Sequence, residues 1–252
     1  DGRPFLFTEH CARLERSLGE IGMRSPYTRA EWATLCGELV ARNGGGDLYL
    51  YLQVSRGAEA GRNHAAAPGL APTVFAMASP LAPADAAVRV EGVAAITLPD
   101  ERWRRCDIKS TALLANVLAK TAASGRGATE AILLAGGLLR EGASSSVLIV
   151  EGGTLRAPPY GPEILPGTTR DLVLRLAARA AIPVRVAPVS EAALRAAAEI
   201  ILCYATRGVL AVTRLDGRAV GDGRPGPVWT RLDGLVADYR REVADTPLLQ
   251  PA

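Results

Sequence analysis

Residues 140–158, REGASSSVLIVEGGTLRAP, combine a strong strand signal with a candidate functional residue. The apolar run after the serines, the Gly152-Gly153 pair and the apolar segment behind it predict a β-hairpin. Glu141 stands before that run, in a turn of small residues that would let a flat ligand approach the backbone closely. The carboxylate either faces a ring nitrogen of such a ligand or is an ordinary turn residue. Gly-Ala-Ser-Ser-Ser does not match the G-x-S-x-G pattern of serine hydrolases.

The segments around this hairpin mix strands and helices irregularly, which predicts a mixed α/β or α+β chain and not a doubly wound sheet. The predicted elements are a strand around Val88–Leu98, a helix from Thr111 to about Ala123, the strand EAILLA, a Gly-led helix LPGTTRDLVLRLAARAAI closed by Pro183, the short strand VRVAPV, a helix capped by Ser190, strands within EIILCYATRGVLAVTRLDG, and a helix from about Val228 to Val243.

The front of the chain predicts a smaller unit of two helices and two strands. The first helix has Thr8 as its N-cap candidate, and the second begins with the capping box Thr28-x-x-Glu31 and ends at Asn43-Gly44. DLYLYLQVSRG and PTVFAMAS predict a pair of strands. The Pro/Ala-rich SPLAPADAA follows as a linker. We expect a small N-terminal domain over residues 1–81, a linker over 82–86 and a larger C-terminal domain over 87–252.

The composition favours an ordinary soluble protein of the cytoplasm. Of the 252 residues 48% are hydrophobic and 22% charged, the net charge is +3, and the arginines are scattered, which argues against nucleic-acid binding. Four widely spaced cysteines and two histidines argue against a disulfide framework and a metal site. No apolar run is long enough to span a membrane. The chain opens at DGRPFLF without a methionine, so we expect further residues in front.

Lys109, in RRCDIKS, is one of only two lysines among 29 basic residues. A lysine can lose its proton and attack a carbonyl, whereas a guanidinium stays protonated. Its position between a strand and a helix therefore indicates either a catalytic amine or a chance surface lysine. Lys120 lies within the predicted helix and is expected to be solvated.

Two further stretches carry candidate binding groups. In LPGTTRD, Thr168 and Thr169 follow a glycine at a helix start, which suits a phosphate but also an ordinary N-cap. In GRNHAAAPG, Arg62 and His64 could point the same way on an extended loop and hold a carboxylate. Two solvated loop residues would give the same pattern.

Together, in their order and spacing, these stretches resemble the class IV, fold-type IV aminotransferases that use pyridoxal 5'-phosphate (PLP), and within them the D-amino acid aminotransferases. The similarity runs from FTEHCARLERS through YLQVSRG, GRNH, RCDIKSTALLANVLAK, REGASSSVLIV and LPGTTRD to LDGRAVGDGRPGPVWTRL, nearly the whole chain. It implies a two-domain fold with a C-terminal pseudo-barrel, a homodimer, and ping-pong transfer of an amino group between an amino acid and a 2-oxo acid.

The resemblance also implies roles for individual residues. Lys109 would be the Schiff-base lysine that moves a proton at the substrate Cα, and Glu141 would pair with the pyridine nitrogen and keep it protonated. The Arg62 and His64 pair would capture the α-carboxylate of a D-amino acid. The remaining predicted cofactor contacts are the phosphate-binding Arg13, Thr168 and Thr169, the ring-packing Leu165, Ser144 in the small turn, and Ala205 and Thr206 in LCYATRGVLAV.

The sequence departs from the family pattern at three places. A front strand with a carboxylate-binding tyrosine is absent ahead of DGRPFLF. Tyr204 and Ala205 stand where a Ser/Thr or Gly-Thr pair usually binds the phosphate, so Thr206, backbone N–H groups or Arg207 would have to serve. Ser146 stands where the D-specific pattern usually has asparagine.

These departures keep three alternatives open. CYATRGVLAV also resembles the aminodeoxychorismate lyases, which release pyruvate by β-elimination with the same lysine and cofactor. A branched-chain L-amino acid aminotransferase and a cofactor-binding protein with weak catalysis are the others.

Overall fold

A computed structural model describes residues 4–61, 63–82 and 85–245. They divide into two compact units, one within residues 4–82 and the other spanning residues 85–243. None of the helices in these described ranges is long and apolar enough to cross a membrane. The assignment of the units as a small domain and a cofactor-binding domain stays a prediction.

The first unit contains two helices and one antiparallel strand pair. Its capping box is confirmed, since Thr28 accepts from the backbone N–H of Glu31 and the Glu31 side chain bonds back. The prediction that Thr8 caps the first helix is wrong, because the helix begins at Phe7 after Leu6, which has positive φ and gives no side-chain cap. The elements are α1 (Phe7–Glu20), α2 (Arg29–Arg42), β1 (Leu48–Ser55) and β2 (Thr73–Pro80).

The second unit contains the hairpin of residues 140–158, which is confirmed with its turn at Gly152-Gly153. Its elements are α3 (Ala86–Glu91), β3 (Val93–Pro99), α4 (Leu114–Gly125), β4 (Glu130–Ala135), β5 (Leu138–Gly142), β6 (Ser146–Glu151), β7 (Thr154–Ala157), α5 (Thr168–Arg179), β8 (Val184–Val186), α6 (Glu191–Arg195), β9 (Glu199–Tyr204), β10 (Gly208–Leu215), β11 (Arg218–Ala219) and α7 (Pro227–Asp245).

All strands described in this unit belong to one mixed sheet. The order is β5-β4-β3-β10-β9-β6-β7-β8, with β11 added to β10. β3 is parallel to β4 and β10, β7 is parallel to β8, and the other pairs are antiparallel. β9 is buried at every position, which explains its nearly continuous apolar sequence. The mixed α/β class is confirmed.

Two predicted boundaries are wrong, and the strands β5 and β11 were not predicted. Residues 86–91 form α3 and not the start of a strand, because the Asp85 side chain caps a local turn. Gly92 then takes positive φ, where a side chain would also overlap Thr213, and the chain enters β3. α4 begins at Leu114 and not at Thr111. β5 went unpredicted because five residues of sequence carry little periodic signal.

Candidate active site

Glu141 lies at the penultimate position of β5, with only 6% of its side chain exposed. Its Oε1 is 2.5 Å from Arg102 Nη1, and the Leu165 backbone N–H donates to the two carboxylate oxygens at 3.2 and 3.3 Å. Burial raises the pKa of Glu141, and the contacts with Arg102 and Leu165 oppose part of that rise. These contacts fix the position of the Glu141 carboxylate. Glu141 is the residue predicted to face a ring nitrogen.

Arg102 is a residue of this site that the sequence did not reveal. Its guanidinium also donates to both oxygens of Asp100, at 2.9 and 2.8 Å, and to the carbonyl of Glu163 at 3.1 Å. Burial alone would lower the pKa of Arg102, but the carboxylates of Asp100 and Glu141 raise it above its ordinary value. Nothing in the sequence distinguishes Arg102 from its many arginine neighbours.

Lys109 lies exposed in the loop between β3 and α4, directly after the buried Ile108. The backbone N–H of Asp107 in this loop donates to the carbonyl of Pro162 at 3.1 Å. Together with the Arg102–Glu163 bond, this contact joins the lysine-bearing loop to the segment that precedes α5. That segment bonds in turn to Glu141, so the structure links the three stretches predicted to hold the cofactor.

The start of α5 carries Thr168 and Thr169, both buried. Its N-cap, Gly167, offers no side-chain acceptor, so the first backbone N–H groups of the helix are suited to an anion. The hydroxyl of Thr169 donates to the carbonyl of Tyr204 at 3.1 Å. Because a threonine hydroxyl has one proton, Thr169 would serve a phosphate through its backbone.

The turn of residues 142–145 is packed too closely for larger residues. A Cβ on Gly142 would overlap Ser145 Oγ, and one on Gly167 would overlap Ser146 Oγ. Ser144 donates its hydroxyl to the buried carboxylate of Glu130 at 2.8 Å. The small residues thus allow two backbone segments to meet, and a cofactor contact by Ser144 stays a prediction.

Further predicted site residues belong to the first unit and to the turn after β9. Arg13 is in α1 of the first unit, with Nη2 3.2 Å from His10 Nδ1, and His64 is exposed in the same unit. Arg62 lies outside the described residues. Ala205 and Thr206 form the turn between β9 and β10. Their functional roles stay predictions.

Comparison with known proteins identifies the family. A family model described as amino-transferase class IV matches residues 1–215. The chain belongs to the class IV aminotransferases. A D-alanine aminotransferase of Bacillus licheniformis is 40% identical to this chain over 228 residues, which are 90% of this chain and 80% of that protein.

Two solved structures share the fold of this chain. The T.th. branched-chain amino acid aminotransferase, solved with pyridoxamine 5'-phosphate, has a TM-score of 0.82 at 28% identity, over 93% of this chain and 78% of its own. A Legionella pneumophila protein named as a putative 4-amino-4-deoxychorismate lyase has a TM-score of 0.83. At 18% identity, over 94% of this chain and 87% of its own, it shows the fold alone.

The predicted family, fold type and PLP cofactor are confirmed by these similarities. The described residues fit that cofactor chemically. A buried carboxylate held by an arginine suits a ring nitrogen that carries a proton, and a helix start without a side-chain cap suits a phosphate.

Proposed function

We propose that this class IV aminotransferase transfers an amino group between a D-amino acid and a 2-oxo acid, with Lys109 and Glu141 as its catalytic residues. The observation that carries the site is the buried chain of contacts Asp100–Arg102–Glu141–Leu165, bonded to the loop that bears Lys109. The preference for D-amino acids is supported by the 36–40% identity to D-alanine aminotransferases.

Lys109 is proposed to move the proton at the substrate Cα. An ammonium group can lose its proton and take it back, which the guanidinium groups that dominate this chain cannot do. When bound, PLP supplies the electron sink for the charge left at Cα. Lys109 is an exposed residue of the loop between β3 and α4.

Glu141 is proposed to hold a proton on the ring nitrogen of the cofactor. Its carboxylate must be anionic for this, although its burial favours the neutral form. Arg102 Nη1 lies 2.5 Å from Glu141 Oε1 and lowers the free energy of the anionic carboxylate. The Arg102 guanidinium is held in turn by Asp100. With both carboxylates ionised, Asp100, Glu141 and Arg102 together carry one net negative charge. This charge complements a protonated ring nitrogen of the cofactor.

The remaining groups are proposed to bind the two charged ends of the reactants. The backbone at Thr168 and Thr169, together with Arg13 and the turn of Ala205 and Thr206, would hold the phosphate. Ser144 and Leu165 would contact the ring. Arg62 and His64 would hold the α-carboxylate of the substrate, with the arginine as a bidentate donor.

A homodimer is the proposed assembly. The N-terminal half of α4 exposes Leu114, Val117 and Leu118, with 74%, 55% and 60% of each residue accessible. An apolar helix face of this kind is typical of an association surface, and sedimentation analysis at two protein concentrations would test the proposed homodimer.

The cytoplasm is the proposed location, in keeping with free thiols at Cys11, Cys36, Cys106 and Cys203.

A screen of amino donors tests the proposed reaction. We expect D-alanine or D-glutamate, with a 2-oxo acid acceptor, to yield the matching 2-oxo acid product, and L-leucine to yield none. Turnover of L-leucine alone would replace the proposal with a branched-chain L-specific enzyme. Pyruvate release from aminodeoxychorismate without any acceptor would replace it with a lyase. Cofactor binding without turnover of any donor would replace the proposal with the third alternative, a cofactor-binding protein with weak catalysis.

A further inference from the structure

A second buried carboxylate, Glu130, lies behind the turn that follows Glu141. It is the first residue of β4 and is completely buried. Its Oε2 accepts three hydroxyl protons, from Ser144 at 2.8 Å, Ser145 at 2.9 Å and Tyr204 at 2.7 Å. None of the roles derived above uses this carboxylate.

The other oxygen of Glu130 accepts from the backbone N–H of Ala131 at 3.0 Å and lies 3.4 Å from Lys120 Nζ. The expectation that Lys120 is solvated is therefore wrong. Its amine also donates to the carbonyl of Thr129 at 2.5 Å. A buried carboxylate is costly unless it is paired and its oxygens are satisfied, and here both conditions hold.

Tyr204 is the member of this cluster that reaches a second part of the site. Its hydroxyl bonds to Glu130, and its backbone carbonyl accepts from Thr169 Oγ1 at the start of α5. Tyr204 thus contacts Glu130, which supports the turn after Glu141. It also contacts the start of α5, which is proposed to bind the phosphate. Because its phenol proton is donated to Glu130, Tyr204 does not replace the hydroxyl expected to bind the phosphate at this position.

Movement of the serines would be transmitted to Glu141 through the backbone. The N–H of Gly142 donates to the carbonyl of Ser145 at 2.7 Å, and there is no space at Gly142 for even a Cβ. A shift of Ser145 therefore displaces Gly142, whose neighbour is Glu141. Close-packed interiors have low compressibility and transmit such a displacement.

We propose that Tyr204 is a positioning residue of the cofactor site. Through Glu130 it fixes the turn that sets the carboxylate of Glu141, and through its carbonyl it fixes the start of α5 against that turn. The proposal rests on the cofactor contacts proposed above for Glu141 and for Thr168 and Thr169. Tyr204 exerts this effect through Glu130 and Thr169.

Removal of one hydroxyl, in Tyr204→Phe, tests the proposal. PLP affinity is measured by absorbance titration of the apoprotein, and the absorption spectrum of the bound cofactor is followed against pH. We expect the dissociation constant to rise about tenfold, in keeping with the loss of a hydrogen bond to a charged group, together with a shifted spectral titration. Ser145→Ala, a milder change in the same cluster, should act in the same direction.

The matched control is Tyr51→Phe, which removes a hydroxyl that donates to Gln53 at 2.7 Å within the first unit. We expect it to leave the dissociation constant within about twofold, since its hydroxyl has no link to Glu130. A purely structural role for Tyr204 predicts a lower melting temperature of the apoprotein with unchanged cofactor affinity and spectrum. That result, for Tyr204→Phe or, if it does not fold, for Ser145→Ala, would overturn the inference. A wild-type protein that binds no PLP would instead contradict the proposed function.

Discussion

The residue whose role depends most on one partner is Glu141. Its carboxylate and the Arg102 guanidinium are each only 6% exposed, so neither can be solvated if the other is removed. Such a pair contributes little net stability compared with apolar residues, but breaking it leaves an uncompensated buried charge. Arg102 therefore stabilises the fold around β5 and favours the anionic form of Glu141 against the effect of burial.

Arg102→Met should lower the free energy of unfolding of the apoprotein by about 3–5 kcal/mol, because Glu141 and Asp100 lose their shared cation. Urea unfolding measures this value. Arg105→Met is the matched control, since the Arg105 ion pair with Asp107 is 40% exposed on the arginine side, and it should cost under about 1 kcal/mol. Adding Glu141→Gln to Arg102→Met should recover part of the loss. Equal costs for the two arginine variants would disprove a structural role for the buried pair.

At the scale of single residues, the sequence indicated Lys109 and Glu141 because their neighbouring residues are unusual. Lys109 was conspicuous because lysine is nearly absent, and Glu141 because it precedes a turn of small residues. Arg102 was missed because its partner Glu141 is 39 positions away. Tyr204 was noticed as a departure from the family pattern, but its bond to Glu130, 74 positions away, was not foreseen. Pairings at such separations are created by the sheet order, which a single sequence does not encode locally.

At the scale of elements, local signals predicted the polar caps of α2 and α6 correctly, whereas the predicted Thr8 cap of α1 is wrong. Thr28 and Ser190 cap their helices as expected, because each bond spans only three residues. The start at Val88 predicted for the following strand was wrong for the same reason, since the local cap by Asp85 outweighed an apolar pattern, and β3 begins at Val93. Glu199 supplies a cap from a distance, accepting from the N–H groups of Val228 and Trp229 at the start of α7.

The turn between β10 and β11 provides a pH-dependent link to β3. Asp216 accepts from the Thr97 N–H at 2.8 Å and hydroxyl at 2.7 Å, and from Arg195 at 2.9 Å. Burial alone would raise the pKa of Asp216, but these donors hold it below its ordinary value. A lowered pKa means that the ionised form stabilises the fold above the unfolded-state pKa and that this contribution is lost as the pH falls through the folded-state value.

Asp216→Asn should therefore lower the free energy of unfolding by about 1–2 kcal/mol at neutral pH. Asparagine keeps the shape of the side chain and tolerates the positive φ of this position, 50°. The difference between variant and wild type should shrink as the pH falls below about 4. Chemical denaturation at several pH values measures it, with the exposed Asp222→Asn as control. A difference that stays constant over the acid range would show that the charge is not responsible.

At the scale of the whole molecule, the order of motifs carried more information than any single one. The phosphate-type helix start, the Glu141 turn and the Arg62–His64 pair each had an ordinary explanation, and only their joint spacing indicated the family, which the match over residues 1–215 confirms. The mixed strand order of the large sheet could not be predicted in this way, because it depends on contacts between distant strands.

A transaminase of this type must stop after one amino transfer when no acceptor is present, because the amino group stays on the cofactor. The most direct measurement is the pyruvate released when PLP-loaded protein meets excess D-alanine without any 2-oxo acid. We predict about one pyruvate per bound cofactor, resumption on addition of 2-oxoglutarate, and none from Lys109→Arg, which keeps the charge but cannot lose the proton. Continuous pyruvate release without an acceptor, or release by Lys109→Arg, would contradict the account.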